Sequence, residues 1–466
     1  ARRSSEAYEA AFKDTGGYYS GINAATMALL AQIPEEIVKG RAETVLKSLP
    51  SAENLPANTL YYVEATRAEA FLLLGRQFDA QKALRKAFDH DPQNYTAHAS
   101  TLRQLRLIEE QKGIASNGNQ NHWLAEFNPP RSIHFAGHMF TAKGDKTAKA
   151  QYSKLALGPR KTARLKLDIA DSIQANDIGF GFGALAAGAD ILIAETLLEE
   201  GAQLHVVLPV DQDIFVEGSV RPFGEAWVRR FHHCLNSASS VIITSPDARC
   251  WPSHALTRYG SRIAMGKAII HARTLAAPVA QLLIWDGNEN ANSTGTYGDA
   301  VDWRKGEKPQ IILPYPEKRK AKPAAINEKN TLSDMFTIAL CVRSGAEETD
   351  ESRVFSSIDE ALLGALKLHK VYGRTSVAAM HIGLETDRAN VIQLAQRLSS
   401  AELPGGLYCS EAFAAFLAVE RAQKYHMPYL GIMRGNDWNH RHSGAIERKP
   451  VPEKNRSVLK QQTHLF

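Results

Sequence analysis

The chain has 466 residues, 44% of them hydrophobic and 23% charged, which is the composition of a folded globular protein of about three domains and excludes a disordered, collagen-like or coiled-coil chain. Its 55 Lys and Arg against 50 Asp and Glu leave a net charge of +5. That excess is too small for a dominant electrostatic grip on nucleic acid or an anionic membrane, although it leaves room for a local basic patch. The four cysteines (Cys234, Cys250, Cys341, Cys409) are scattered without C-x-x-C spacing, which argues against a disulfide scaffold and a cysteine zinc site. No apolar run reaches about 18 residues and residues 1–30 lack a secretory pattern, so a cytoplasmic protein without membrane attachment is expected. The chain opens at Ala1 without an initiator Met, which suggests an upstream segment.

From Ala1 to about residue 112 apolar residues recur at three and four, with Gly or Pro between segments, and a helical domain is expected. Ala68, Phe71, Gly75, Ala80, Leu84, Ala87 and Pro92 place small residues where two antiparallel helices approach, a Gly at their turn and a Pro at their end. This is tetratricopeptide-repeat spacing. One good repeat is present, so its neighbours in a stack must be divergent. Residues 113–130, rich in Gly, Asn, Gln and Pro, read as a linker.

Between 131 and 314 short apolar runs (Ile133–Ala136, Ile178–Phe182, Leu204–Val210, Val241–Thr244, Leu282–Trp285, Ile311–Leu313) alternate with helical stretches. Buried strands separated by crossover helices predict a doubly wound parallel sheet of Rossmannoid type. Residues 315–333 are charged and read as a second linker. Residues 334–436 then alternate strands (Phe336–Val342, Ser376–Gly383, Leu407–Cys409) with helices (Ile358–Tyr372, Arg388–Leu398, Glu411–Tyr425), an α+β domain of ferredoxin-like kind. The remainder, 437–466, is polar and aperiodic and reads as a tail, partly disordered or draped over a neighbour. The whole is an α/β chain.

The chemical candidates lie in the central domain, because ligands of such sheets sit beyond the carboxyl ends of the strands. The second strand runs into Gly179, Gly181 and Gly183 and then into a helix opened by Gly188 and Asp190. Bare backbone at that turn can offer amides to a phosphate. The competing reading is that these glycines only let helix and sheet pack closely. The dinucleotide fingerprint fits poorly, since Gly179-x-Gly181-x-x-Ala184 lies inside the strand and no acidic residue follows at the ribose distance. The other strand ends supply Gly137 and His138, Leu185, Pro209 and Asp211, Ser245 and Asp247, and Asp286 to Asn288. The stretch 288–303, with Gly295 and Thr296, reads as a loop able to fold over a ligand, or as an ordinary surface loop. Asp190 and Glu195 are the candidates for general acid/base work, although a helical Glu is more often solvated or salt-bridged. His232, His233 and Cys234 diverge around a helix and make no metal site, and no cofactor is certain.

Three resemblances attach to these residues. Tyr18-Tyr19-Ser20-Gly21-Ile22-Asn23-Ala24-Ala25-Thr26 and Ala65-Thr66-Arg67-Ala68-Glu69-Ala70 resemble the TRAF-binding region of the ASK-type stress kinases and bacterial tetratricopeptide sensor domains. Tyr19, Asn23, Thr26 and Arg67 are then candidates for contact with a ligand or protein partner. Gly183-Ala184-Leu185-Ala186-Ala187-Gly188-Ala189-Asp190 and Leu204-His205-Val206-Val207-Leu208-Pro209 resemble the SLOG superfamily, which includes DprA proteins and the LOG phosphoribohydrolases. The LOG motif P-G-G-x-G-T-x-x-E is absent, Gly295-Thr296 being its nearest remnant, so the resemblance implies binding rather than hydrolysis. Met380-His381-Ile382-Gly383, Leu394-Ala395-Gln396-Arg397-Leu398 and Pro404-Gly405-Gly406-Leu407-Tyr408-Cys409-Ser410 resemble class III nucleotide cyclases. The first strand there lacks the metal-binding Asp and Gln393 replaces the family's Asn, which implies a catalytically dead module used for packing, dimerisation or sensing.

Together these readings lead to an expected cytoplasmic nucleotide-sensing protein of bacterial stress or anti-phage signalling. Its ligand would be ADP-ribose, NAD or a cyclic nucleotide, with a protein partner on the helical domain and self-association through the others. The alternatives are a nucleotide N-glycoside hydrolase using Glu195 or Asp190, and a scaffold without a ligand.

Overall fold

The computed structural model describes residues 1–51, 53, 55–114, 122–288, 295–316, 335–343, 350–372, 376–401, 406–421, 424–427, 429–435, 438–445 and 447–448. They fall into two compact units: Ala1–Pro129 with Arg273–Pro278, and Pro130–Ala272 with Val279–Phe466. Among the described residues no helix is long and apolar enough to cross a membrane.

The first unit is built of helices α1 (Arg2–Thr15), α2 (Tyr18–Leu30), α3 (Glu35–Ser48), α4 (Ala57–Leu73), α5 (Gln77–His90) and α6 (Tyr95–Gln111). The small residues of the repeat pattern do what their spacing requires. Ala68 on α4 and Ala80, Leu84 and Ala87 on α5 are fully buried, and Gly75, at φ 78°, makes the turn between them. Asn94 starts α6 by accepting the Ala97 N–H at 3.2 Å. Helices α2, α4 and α6 meet along one side, and the arrangement is repeat-like. The expected linker is partly packed. Trp123, Leu124 and Phe127 join the helical core, and the Trp123 indole donates to Glu109 at 2.7 Å. Three large apolar side chains in an otherwise polar stretch gain more from burial than from exposure; residues 115–121 lie outside the described residues.

The second unit opens with a six-stranded parallel sheet in the order β6-β5-β4-β1-β7-β8. Its strands are β1 (Arg131–Gly137), β4 (Ile178–Gly183), β5 (Gln203–Leu208), β6 (Ser240–Ile243), β7 (Val279–Trp285) and β8 (Gln310–Pro314). All six expected apolar runs are strands. The first crossover carries a small ladder of β2 (Thr141–Ala142) and β3 (Ala156–Leu157) before α7 (Pro159–Ala175). Ile133 and Phe135 on β1 face the core formed with α7, α8 (Ala189–Glu199) and α10 (Glu225–Ser237), while α9 (Gln212–Ser219) precedes α10. Their neighbours Ser132 and His134 face the opposite side, where α11 (His254–Leu275) and α12 (Gly295–Arg304) lie. Ser132 bonds His271 at 2.9 Å and His134 stacks on Trp303. The expected loop over 288–303 is therefore corrected: from Gly295 the chain is helical, anchored by the buried Trp303 and Asp302, and residues 289–294 lie outside the described residues.

The second sheet is mixed, in the order β10-β9-β11-β12-β15-β14, and comprises β9 (Phe336–Arg343), β10 (Asp350–Phe355), β11 (Val377–Leu384), β12 (Leu407–Ser410), β14 (Tyr429–Gly435) and β15 (Trp438–Ala445). A further short pair joins β13 (Tyr425–His426) to β16 (Glu447–Arg448). The ferredoxin-like expectation needs correction. One unit fits it: β10 and β11 both run antiparallel to β9 between them and are joined by the helix Ile358–Tyr372, a split βαβ unit; the departure is that β11 and β12 are parallel neighbours joined by the helix Arg388–Ala401, with no strand inserted between them. The start of the expected tail is likewise strand, since Ala445 to Ser443 pair with Tyr408 to Ser410 and β14 flanks β15.

Helix α11 serves both sheets. Tyr259, Ile263 and Ala264 enter the core of Phe336, Leu340, Phe413 and Phe416. At Gly266 an added Cβ would stand 2.3 Å from the Ala415 main-chain oxygen, so only glycine allows the helix Glu411–Arg421 to cross so closely. From Ala255 to Arg273 no residue of α11 is exposed. Its charged groups are paired inside: Arg258 and Arg262 on Asp302, Arg262 also on Glu420, and Lys267 on Glu411.

Candidate functional site at the carboxyl edge of the parallel sheet

Strands β4, β5 and β6 are laid down on one side of β1 and β7 and β8 on the other, so the chain reverses direction across the sheet between β1 and β7. That is where an open α/β sheet leaves a crevice beyond its carboxyl ends. The residues that follow these two strands meet there. His138 Nε2 lies 3.1 Å from Asp286 Oδ1 and 3.3 Å from the Asp286 main-chain nitrogen, and the Tyr315 ring stands edge-on to the imidazole. Asp286 also accepts the Asn288 N–H at 3.1 Å.

Asp190, in the first turn of α8, closes the other side. Its carboxyl accepts the Gly137 N–H at 2.9 Å and the Ala186 N–H at 3.3 Å, while the Ala189 N–H donates to the His138 carbonyl at 3.1 Å. The amides expected to cradle a ligand phosphate are thus occupied by a carboxyl of the protein itself, which supplies the same acceptor geometry. Burial pushes Asp190 up to about 8, and nearby Asp299 acts in the same direction against the two amide bonds. Asp299, bonded by Ser261 at 3.1 Å, is pushed up to about 7, also by burial first.

The sign of the linkage follows from these positions. A carboxyl raised above its unfolded value, near 3.9, holds a proton in the folded state that the unfolded chain gives up. Its contribution is therefore fullest below about pH 4 and is lost as pH rises toward 8. Asp190 alone is expected to tilt the stability of the second unit by up to about 1.4 kcal/mol per pH unit in that window. Urea midpoints measured from pH 4.5 to 8 should show a shallower slope in Asp190→Asn; an unchanged slope would place the proton elsewhere.

The glycines expected to bind a ligand are instead filled by the protein. A Cβ at Gly183 would meet the Phe135 ring and carbonyl at 2.7 Å, one at Gly181 would meet Leu197 at 2.3 Å, and one at Gly137 would meet Ala189 at 2.4 Å. Gly188, at φ 105°, faces the Phe140 nitrogen at 2.5 Å. Close packing is what these positions serve, and the cradle reading of Gly181, Gly183 and Gly188 is corrected accordingly. Leu185 is fully buried in the core, and Pro209 is buried against Gly260. Ser245 is half-buried, its carbonyl accepting the Ala248 N–H. Gly295 and Thr296 open α12. Glu195 is engaged within the fold, holding Arg230 of α10 through two bonds of 2.7 and 2.6 Å, with that guanidinium stacked on Trp227.

The sequence reading missed a groove of about 900 Å³ in the crossover from β1 to α7, lined by the turn Thr141–Lys146 and by Gly158–Lys161. Its signal was a count over a short window: residues 141–166 contain eight Lys or Arg and one acid, Asp145, a net +7 that exceeds the +5 of the whole chain.

In the helical unit, Thr26 donates to Glu69 at 2.5 Å and Gln104 donates to the same oxygen at 3.1 Å, so α2, α4 and α6 are tied by one half-buried carboxyl, which its partial removal from water raises to about 7. Asn23 donates to the Tyr19 carbonyl at 2.8 Å and Arg67 pairs with Glu64 at 3.2 Å. Of these contact candidates Thr26 is buried and so withdrawn from a partner, whereas the Tyr19 side chain is 68% exposed.

No protein-family profile matches the chain, and no curated protein does. Among solved structures, a mutant O-GlcNAc transferase from Thermobaculum terrenum matches at 9% identity over 69% of this chain and 57% of that one, so the chain spans little more than half of that protein. At a TM-score of 0.19 the likeness carries no argument about fold or activity.

Proposed function

We propose that the chain is a cytoplasmic regulatory protein that binds a nucleotide-derived ligand beyond the carboxyl edge of its parallel sheet and does not turn it over. In this reading the sheet is a SLOG-like Rossmannoid domain, and the helical unit is a tetratricopeptide-like module for a protein partner. The mixed sheet is a catalytically silent cyclase-like module that packs or self-associates. The observation that carries the reading is the pairing of His138 with Asp286 where the chain reverses across the sheet, the place at which open α/β sheets in general take their ligands.

The hydrolase alternative is disfavoured because its two acids are engaged in holding the structure: Glu195 by Arg230, and Asp190 by two main-chain amides. Calorimetry with ADP-ribose, NAD, cyclic nucleotides and ATP is expected to show micromolar or tighter binding of at least one of them, weakened by His138→Ala. Chromatography of the same mixtures after incubation should find no free base or nicotinamide. Release of base that disappears in Glu195→Gln would establish the hydrolase instead, and silence across the panel would leave the scaffold.

A further inference from the structure

We infer that the groove between the turn that follows β2 and the start of α7 is an anion site that takes a linear phosphate chain of three or more charges, so that the ligand of the proposed function is a nucleoside polyphosphate rather than a cyclic nucleotide. The inference rests on that function for the nucleotide part of the ligand. The groove itself rests on charge and shape.

Lys143, Lys146 and Arg160 line it, and none of the three pairs with a carboxylate among the described residues. The acid beside them, Asp145, is engaged within its own turn, accepting the Thr147 N–H at 2.8 Å and the Thr147 hydroxyl at 2.6 Å. Farther along α7 the cations are neutralised, Arg164 by Asp168 at 2.7 Å and Lys166 by Glu199 at 2.6 Å. Three cations without a carboxylate partner among the described residues are therefore gathered at the groove. Helix α7 runs 17 residues from its Pro159 end, which has no side-chain cap and no acid in the first turn, and this adds to the positive potential there. The charge count sets the ligand class. The lining carries Lys143, Lys146, Arg160 and Lys161 against Asp145, a formal net of three positive charges, whereas a cyclic nucleotide brings one negative charge and a dinucleotide two. No aromatic side chain lines the groove, so it offers no platform for stacked bases, which favours a short phosphate chain over single-stranded nucleic acid.

The test uses the full chain with inorganic tripolyphosphate, ADP-ribose, ATP and an oligothymidylate as probes, each titrated at low and physiological salt. Tripolyphosphate and ATP are expected to bind, more weakly as salt rises. The exposed double variant Lys143→Glu/Lys146→Glu should weaken both by about tenfold or more. Lys166→Gln, which changes a cation on the same helix outside the groove, should leave binding as it was. No binding of tripolyphosphate, or equal binding by the double variant, would overturn the inference. Tighter binding of the oligothymidylate, growing with its length, would overturn it in favour of a nucleic-acid surface. Nucleotide binding that survives the double variant would sink the groove and spare the proposed function. Tripolyphosphate binding with no response to any nucleotide would do the reverse.

Discussion

Replacing Asp302 by alanine is expected to destabilise the second unit by about 3–5 kcal/mol, the cost of breaking a buried ion pair from one side. The aspartate is 2% exposed and accepts two bonds of 2.7 Å from Arg258 and one of 2.9 Å from Arg262. Burial alone would raise its pKa, but the attraction of Arg262 and then Arg258 wins and holds it below the ordinary carboxylate range. Without it, Arg262 keeps Glu420 while Arg258, 7% exposed, keeps a full charge in a dry interior. The network is already short of acceptors, since Arg258 Nε and Arg262 Nη2 have no hydrogen-bond partner among the described residues. Replacing Arg258, Arg262 and Asp302 together by apolar residues of similar volume should therefore cost far less than the single change. Urea unfolding monitored by tryptophan fluorescence would read both variants; a loss under 1 kcal/mol in Asp302→Ala would show that water reaches these guanidinium groups.

The second large effect is expected at Gly188. Its φ of 105° and ψ of −119° lie in a region that costs any other residue about 1–3 kcal/mol, and a Cβ there would press on the Phe140 nitrogen at 2.5 Å. Overpacking against main chain adds about 1–3 kcal/mol, so Gly188→Ala should lose roughly 2–6 kcal/mol in all. The damage would also be local. Gly188 bridges Met139 and precedes Asp190, so shifting it parts the carboxyl from the Gly137 and Ala186 amides. Hydrogen exchange at Gly137 should then quicken beyond what global unfolding explains. Gly75→Ala, where a side chain would meet nothing within 4 Å and only φ is unfavourable, should cost less in its own unit.

The parallel strands could be read from sequence because strands buried on both faces become continuous apolar runs, and all six of the sheet announce themselves that way. The strand Trp438–Ala445 does not, because its sequence WNHRHSGA carries no apolar run and its pairing with β12 is set by partners more than thirty residues away. The GFGFG run showed that something must approach the backbone closely, but not what. Phe135 and the Asp190 carboxyl fill that space, and the sequence marks neither as facing it. Glu195 was similarly ambiguous, since its partner Arg230 comes from another helix 35 positions on. The basic groove was missed because the two signs balance over 466 residues, and a whole-chain net charge says nothing of where its excess lies.

Helix α11 has no face that drifts freely under mutation. Tyr259, Ile263 and Ala264 answer to the mixed sheet, His271 to the parallel one through Ser132, and Arg258, Arg262 and Lys267 to acids of neighbouring helices, so a change that suits one layer is judged at once by its neighbour. Divergence among descendants of this chain should therefore gather on α7, with its exposed Leu167 and Arg164, and leave the shared helix nearly frozen.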